Sequence, residues 1–116
     1  MNAGDLCLAY FPFTDGTSAK LRPILIVSAA QFNGGEDVVA LPLTSKPDAS
    51  DQFSILLDDK AYKVAGLRCP SAIKWSKPAT ISRLVVKRRL GSITPEMLDD
   101  VRGKLSILFG GVTESH

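Results

Sequence analysis

Few side chains in this sequence are suited to chemistry, and their placement excludes most familiar catalytic arrangements. The one histidine, His116, is the last of 116 residues, and an imidazole on a frayed tail is a poor general base. Cys7 and Cys69 lie far apart and form no CxxC pair, so neither a zinc site nor a disulfide framework is expected. Cys7 sits in an apolar run and reads as a small buried hydrophobe, although sequence alone leaves one bridge between the two open. Asp58-Asp59 is a carboxylate pair in turn-like sequence, which solvated surface explains better than a metal. No phosphate-cradling glycine loop and no HExxH occur. The expectation is a protein with no metal and no cofactor.

What remains is positive charge. From Lys60 to Arg89 there are nine basic residues and no acid, while the remaining residues hold five bases and all twelve acids. One stretch therefore carries +9 and the rest −7, within a net charge of only +2. Such asymmetry fits a polyanion partner, and it also fits a solvated basic face. Trp75 lies inside the run and has two readings, a platform for an unpaired base or a core residue. Lys87-Arg88-Arg89 suits either nucleic-acid phosphates or an acidic partner segment.

The elements that must position these residues are mostly strands. Asp5–Phe11 is short and rich in Leu, Tyr and Phe, as strands are. Pro12–Leu21 holds Thr-Asp-Gly-Thr-Ser turn chemistry and reads as a surface loop longer than an ordinary hairpin connection. Arg22–Ser28 reads as a strand buried on both faces, with Pro23 at its first residues because proline cannot donate to a ladder. Asn33-Gly34-Gly35 is a turn. Asp37–Leu43 is a third strand, where Pro42 predicts a bulge or an edge. Lys46–Asp51 is a polar loop, Phe53–Leu57 a short strand, and Asp58–Leu67 ambiguous. Ser71–Ser76 alternates like a strand, Thr80-Ile81-Ser82 is a short strand or a turn, and Val85–Leu90, continuing to Ile93, is the last strand. Thr94-Pro95-Glu96 then opens a helix: Thr caps, Pro suits the first position, and Glu faces the positive end of the dipole. Met97, Leu98, Val101, Leu105 and Leu108 recur at helical spacing, and Gly110-Gly111 stops the helix.

Many short strands closed by one helix predict a small barrel-like β domain. A length of 116 residues with 45% apolar content suits one domain over residues 1–116 with a real core. Met1–Asp5 lacks the basic start and apolar stretch of a secretory signal. No apolar run approaches the ~20 residues of a membrane span. A cytoplasmic protein away from the membrane is expected.

Particular residues carry a resemblance. Gly4-Asp5, Phe11-Pro12-Phe13-Thr14-Asp15-Gly16, Lys20-Leu21-Arg22-Pro23 and Ile26-Val27-Ser28 together resemble the N-terminal signature of MazF/PemK (Kid) toxins. Leu41-Pro42-Leu43-Thr44-Ser45 is similar to that family's third-strand motif. Ala65-Gly66-Leu67, Pro70-Ser71 and the Gly91…Ile93-Thr94-Pro95-Glu96 helix start are similar to its later part. The match runs from about Ala3 to Gly110. The resemblance implies a mainly β, SH3-like half-open barrel of the CcdB/Kid type with a C-terminal helix, working as a homodimer. It further implies the toxin of a type II toxin–antitoxin system, a metal-independent endoribonuclease that cuts single-stranded RNA and is held in check by a cognate antitoxin.

The family's catalytic pair corresponds here to Arg22 and Thr44. A guanidinium can stabilise charge on a phosphoryl group bidentately, and a hydroxyl can bond a phosphate oxygen or the 2′-OH. Substrate contacts are expected from Phe13, Asp15, Lys20, Ser45, Lys74, Trp75, Ser76 and Lys77. One departure stands out: where many relatives carry Arg-x-Asp, this chain has Lys74-Trp75-Ser76, and a serine cannot replace a carboxylate base. Two alternatives follow, a gyrase-poisoning toxin of the CcdB type and a catalytically silent RNA- or antitoxin-binding module. Against the first, Val112-Thr113-Glu114-Ser115-His116 lacks the terminal Trp of that branch. For the homodimer, an apolar strand such as Val39–Leu43 is a candidate interface.

Overall fold

The computed structural model describes residues 1–11 and 20–111. Phe13 and Asp15, and most of the predicted first loop, lie outside those residues. In chain order the strands are β1 (Asp5–Phe11), β2 (Lys20–Ile26), β3 (Asp37–Thr44), β4 (Ser54–Leu57), β5 (Ser71–Lys74), β6 (Ala79–Ser82) and β7 (Val86–Ser92). The helices are α1 (Ala30–Asn33), α2 (Ala61–Val64) and α3 (Pro95–Leu108), with a 3₁₀ turn at Arg83–Val85. The strands form one antiparallel sheet of seven in the order β4-β5-β3-β2-β1-β7, with β6 on β3. β4 and β7 end the path and do not pair with each other among the described residues, so the barrel is half open, as expected from the sequence.

Alternation along the strands makes two cores. Cys7, Ala9 and Phe11 of β1 join Ile24, Ile26, Val38, Ala40 and Ile81 on one face. Leu6, Leu25, Leu41, Leu43, Leu57, Ile73 and Trp75 lie on the other, where Val101 of α3 seals them. A strand buried on both faces must be apolar at every position, which is why β3 reads Val-Val-Ala-Leu-Pro-Leu. That strand is central, with β2 on one edge and β6 then β5 on the other. Val38, Ala40, Leu41 and Leu43 are buried. The expectation that Val39–Leu43 offers an apolar surface for a second copy is therefore overturned at residues 40–43, which are buried within the single chain, with Val39 half-buried. Pro42 sits where the second edge changes partner, after Ala40↔Ala79 and before Leu43↔Ile73, the place where a missing N–H does least harm.

Other boundaries shifted for local reasons. β2 begins at Lys20 rather than Arg22, and Pro23 lies mid-strand opposite Leu8. Pairing with β3 starts only at Ile24, so the absent donor falls beside an unpaired edge. The residues before the expected glycine turn form α1, and its last residue, Asn33, is 2% exposed. The Asn33 amide donates to the carbonyls of Met1 at 3.0 Å and Ser28 at 2.9 Å, tying the N-terminus to the end of β2. The ambiguous segment contains α2. At α3 the Thr94 hydroxyl accepts from Met97 N–H at 3.2 Å with Pro at the start, as read from the sequence.

One contact fixes the loop after α2. Gly66, at φ +84°, lies against the backbone of Leu90, and Gly91 lies against the backbone of Ala65. A Cβ at either glycine would sit 2.7 Å from the opposing carbonyl carbon, closer than atoms pack. Gly103 on α3 meets nothing within 4 Å. Gly91→Ala is therefore expected to lower Tm by about 5 °C or more. Gly103→Ala should raise it by about 2–5 °C through helix propensity. Thermal unfolding followed by circular dichroism checks both, and equal Tm values would contradict the backbone contact.

Candidate active site

The loop pinned by Gly66 and Gly91 forms one wall of a groove of about 560 Å³. The start of β2 supplies Lys20, Leu21, Arg22 and Pro23, and the end of β3 supplies Thr44 and Ser45. The pinned loop adds Leu67, Arg68 and Cys69, and β7 adds Arg88 and Leu90. Four cationic side chains thus converge on one depression, and none of its described lining residues is acidic. Like charges gather at a cost, and the arrangement favours a polyanion that neutralises them.

Each position has a local cause. Lys20 and Arg22 are two apart on β2, so they share one strand face. Arg22 is half-buried opposite Ala9. Thr44 is the last residue of β3, opposite Ala72. Its Oγ1 accepts from Lys46 N–H at 3.1 Å, which orients the hydroxyl and leaves its own hydrogen to donate. Arg88 faces Leu8 across the β1–β7 ladder, where register shifts leave Lys87 and Leu90 as extra residues. Such bulges re-aim side chains at a strand edge. Arg89 turns away and binds Asp5 at 3.2 Å.

The family model for PemK-like, MazF-like toxins of type II toxin-antitoxin systems matches residues 2–109. The chain belongs to this family. Among curated proteins none matches it. The fold is shared with solved toxins. MazF in the MazE–MazF complex (Form-II) of Deinococcus radiodurans is 25% identical, with 97% of each chain covered and a TM-score of 0.73. The Mycobacterium tuberculosis toxin MazF-mt6 is 19% identical over 94% of this chain and 99% of that one, at a TM-score of 0.75. An endoribonuclease from a mycobacterial species, solved with its cognate antitoxin, is 18% identical over 95% of both chains, at 0.74.

In this PemK/MazF-family toxin the groove gathers Lys20, Arg22, Thr44 and Ser45 from the residues expected at the site. It does not gather Lys74, Trp75, Ser76 or Lys77 among its lining. Trp75 is 6% exposed within the core, with Phe53 in a T-shaped contact at 5.5 Å between ring centroids, so it offers no open face to a base. Lys74 pairs with Asp51 at 3.2 Å, and the Phe53 N–H followed by the Lys74 ammonium holds the Asp51 carboxyl below the usual carboxylate range. That pairing spends the charge expected on a phosphate. Ser76 is half-buried and Lys77 exposed in the turn before β6, where Lys77 N–H donates to Lys74 O at 3.3 Å.

Arg68 was not singled out from the sequence. It stood in the basic run, but nothing local marks it, because its place depends on two glycines separated by 25 positions in the chain. Cys69 beside it is an exposed free thiol, whereas Cys7 is buried, and burial followed by the Asp5 charge pushes the Cys7 thiol up. Native protein is therefore expected to take one maleimide, at Cys69, and two only in denaturant. Intact-mass analysis checks this, and two labels on native protein would contradict the buried Cys7.

Proposed function

We propose that this toxin is a metal-independent endoribonuclease that cuts single-stranded RNA through the RNA's own 2′-OH. The observation that carries the reading is the groove itself: Lys20, Arg22, Arg68 and Arg88 around the Thr44 hydroxyl, with no acid among its described lining. RNA cleavage of this type needs no external nucleophile. The 2′-oxygen attacks the adjacent phosphorus, the bond to the 5′-oxygen breaks, and a 2′,3′-cyclic phosphate and a 5′-OH result. The enzyme must hold the phosphate, orient the 2′-OH and stabilise charge that builds on the phosphoryl oxygens. Arg22 performs the last task, since a permanently charged, planar fork matches two phosphate oxygens. A permanently charged guanidinium acts as a stabiliser of charge rather than a proton donor. Thr44 donates to a phosphoryl oxygen with the hydrogen its bond to Lys46 leaves available.

A cognate antitoxin completes the reading, as in the antitoxin-bound relatives, and the basic groove suits an acidic segment that competes with RNA. A homodimer is the working form that the family resemblance implies. In excess EDTA, purified protein is expected to cut a mixed-sequence single-stranded RNA at defined sites. Arg22→Ala should abolish the cuts, and Thr44→Ala should slow them by about 10²–10³, the scale of losing one oriented donor. Gel analysis of timed digests checks this. RNA left intact by folded wild-type protein would remove the nuclease reading and favour a silent binding module.

A further inference from the structure

The groove does not end at its lining. On β1 the next residue on the same face as Leu8 is Tyr10, which lies opposite Leu21 of β2. Both Leu8 and Leu21 line the groove, so Tyr10 adjoins two groove-lining residues, and it is 43% exposed. An exposed tyrosine in a strand that otherwise faces the core needs a reason. The register shift on β7 leaves Lys87 as an extra residue between those facing Ala9 and Leu8. The extra residue brings its ammonium to 5.6 Å from the Tyr10 ring centroid. The same ammonium donates to Leu84 O at 3.3 Å, which fixes it while other N–H groups remain. A bulge, a cation and an aromatic ring are thus held together beside the basic groove.

Resting on the ribonuclease reading, we propose that Tyr10 is a base-stacking platform beside the groove, oriented by Lys87, and takes an unpaired base next to the phosphate held by the arginines. The chemistry fits a single strand. Every base offers a π-face, and an aromatic ring accepts it when the backbone is neutralised nearby. Arg88, directly across from Leu8, supplies such neutralisation one pair of residues away. Trp75 cannot serve, because it is buried, so Tyr10 is the exposed aromatic that the described residues place beside Leu8 and Leu21 of the groove.

The test is binding of a short single-stranded RNA with 2′-O-methyl groups throughout, which removes the nucleophile and isolates affinity from cutting. Fluorescence anisotropy is read over a range of salt concentrations for wild type and for Tyr10→Ala, Tyr10→Leu, Tyr10→Phe and Arg88→Ala. Tyr10→Ala and Tyr10→Leu are expected to weaken binding about 5- to 150-fold, with the dependence of log affinity on log salt unchanged. Tyr10→Phe should bind as wild type, because it keeps the ring. Arg88→Ala should lower the salt slope by about 0.7, one phosphate contact on a single strand. The leucine variant keeps an apolar body at the site, so a loss shared by both variants reports the ring rather than a packing defect. Equal affinity for wild type and Tyr10→Ala would overturn the platform while leaving the nuclease reading intact. A Tyr10→Ala protein that changes its association state yet binds RNA as before would overturn it too, assigning the residue to a protein contact. Absence of binding by wild type would overturn the platform, and if the unmodified strand also stays uncut it would remove the ribonuclease reading with it.

Discussion

Two backbones in this protein pass closer than any side chain would allow. Ala65-Gly66 and Leu90-Gly91 lie against each other: Gly66 leaves room for the Leu90 carbonyl and Gly91 for the Ala65 carbonyl. The contact joins a loop from the middle of the chain to its last strand. Because it is made of backbone, it tolerates almost no substitution and little displacement. It sets Arg68 and Cys69 as one wall of the groove and lines them up with Arg88 and Leu90 on β7. Without it, the groove would be the start of β2 and the end of β3 with one side open to water.

The groove's chemistry follows from what that contact assembles. Its described lining offers fixed positive charge and oriented hydroxyls rather than carboxylates. Such a site acts on charge more than on protons. It is suited to a reaction whose nucleophile and leaving oxygen both belong to the substrate, and whose barrier lies in charge gathering on phosphorus. Lys74-Trp75-Ser76 stands apart from the groove lining. Lys74 is neutralised by Asp51, Trp75 fills the core, and the positive charge around the groove comes instead from Arg68 and Arg88.

Much of the fold was legible in the sequence because its signals are local. Thr94-Pro95-Glu96 announces a helix by capping chemistry alone, and the capping bond is present. Alternation and apolar runs place the strands to within a residue or two. The short helices α1 and α2 were missed because four residues carry no periodicity. The candidate site was legible only where residues sit on strands with recognisable motifs: Lys20, Arg22, Thr44 and Ser45 converge, and their roles remain proposals. Trp75 kept two readings because an aromatic in a basic run reads the same from sequence whether it faces solvent or core, and its burial selects the core. Tyr10 escaped notice for the opposite reason. A single exposed position in an apolar strand is visible only once the register of β1 against β2 and β7 is known.

The central claim is that the RNA's 2′-OH is the nucleophile and that the groove stabilises the phosphate it attacks. Mass analysis of the fragment ends from a digest in EDTA tests this most directly, beside a substrate carrying a single 2′-deoxy nucleotide at the cut site. The account predicts a 2′,3′-cyclic phosphate, or the 3′-phosphate from its hydrolysis, with a 5′-OH on the next fragment, and no cut at the deoxy position. Fragments bearing a 5′-phosphate, or cleavage at the deoxy position, would show that water rather than the 2′-OH attacks and would contradict it.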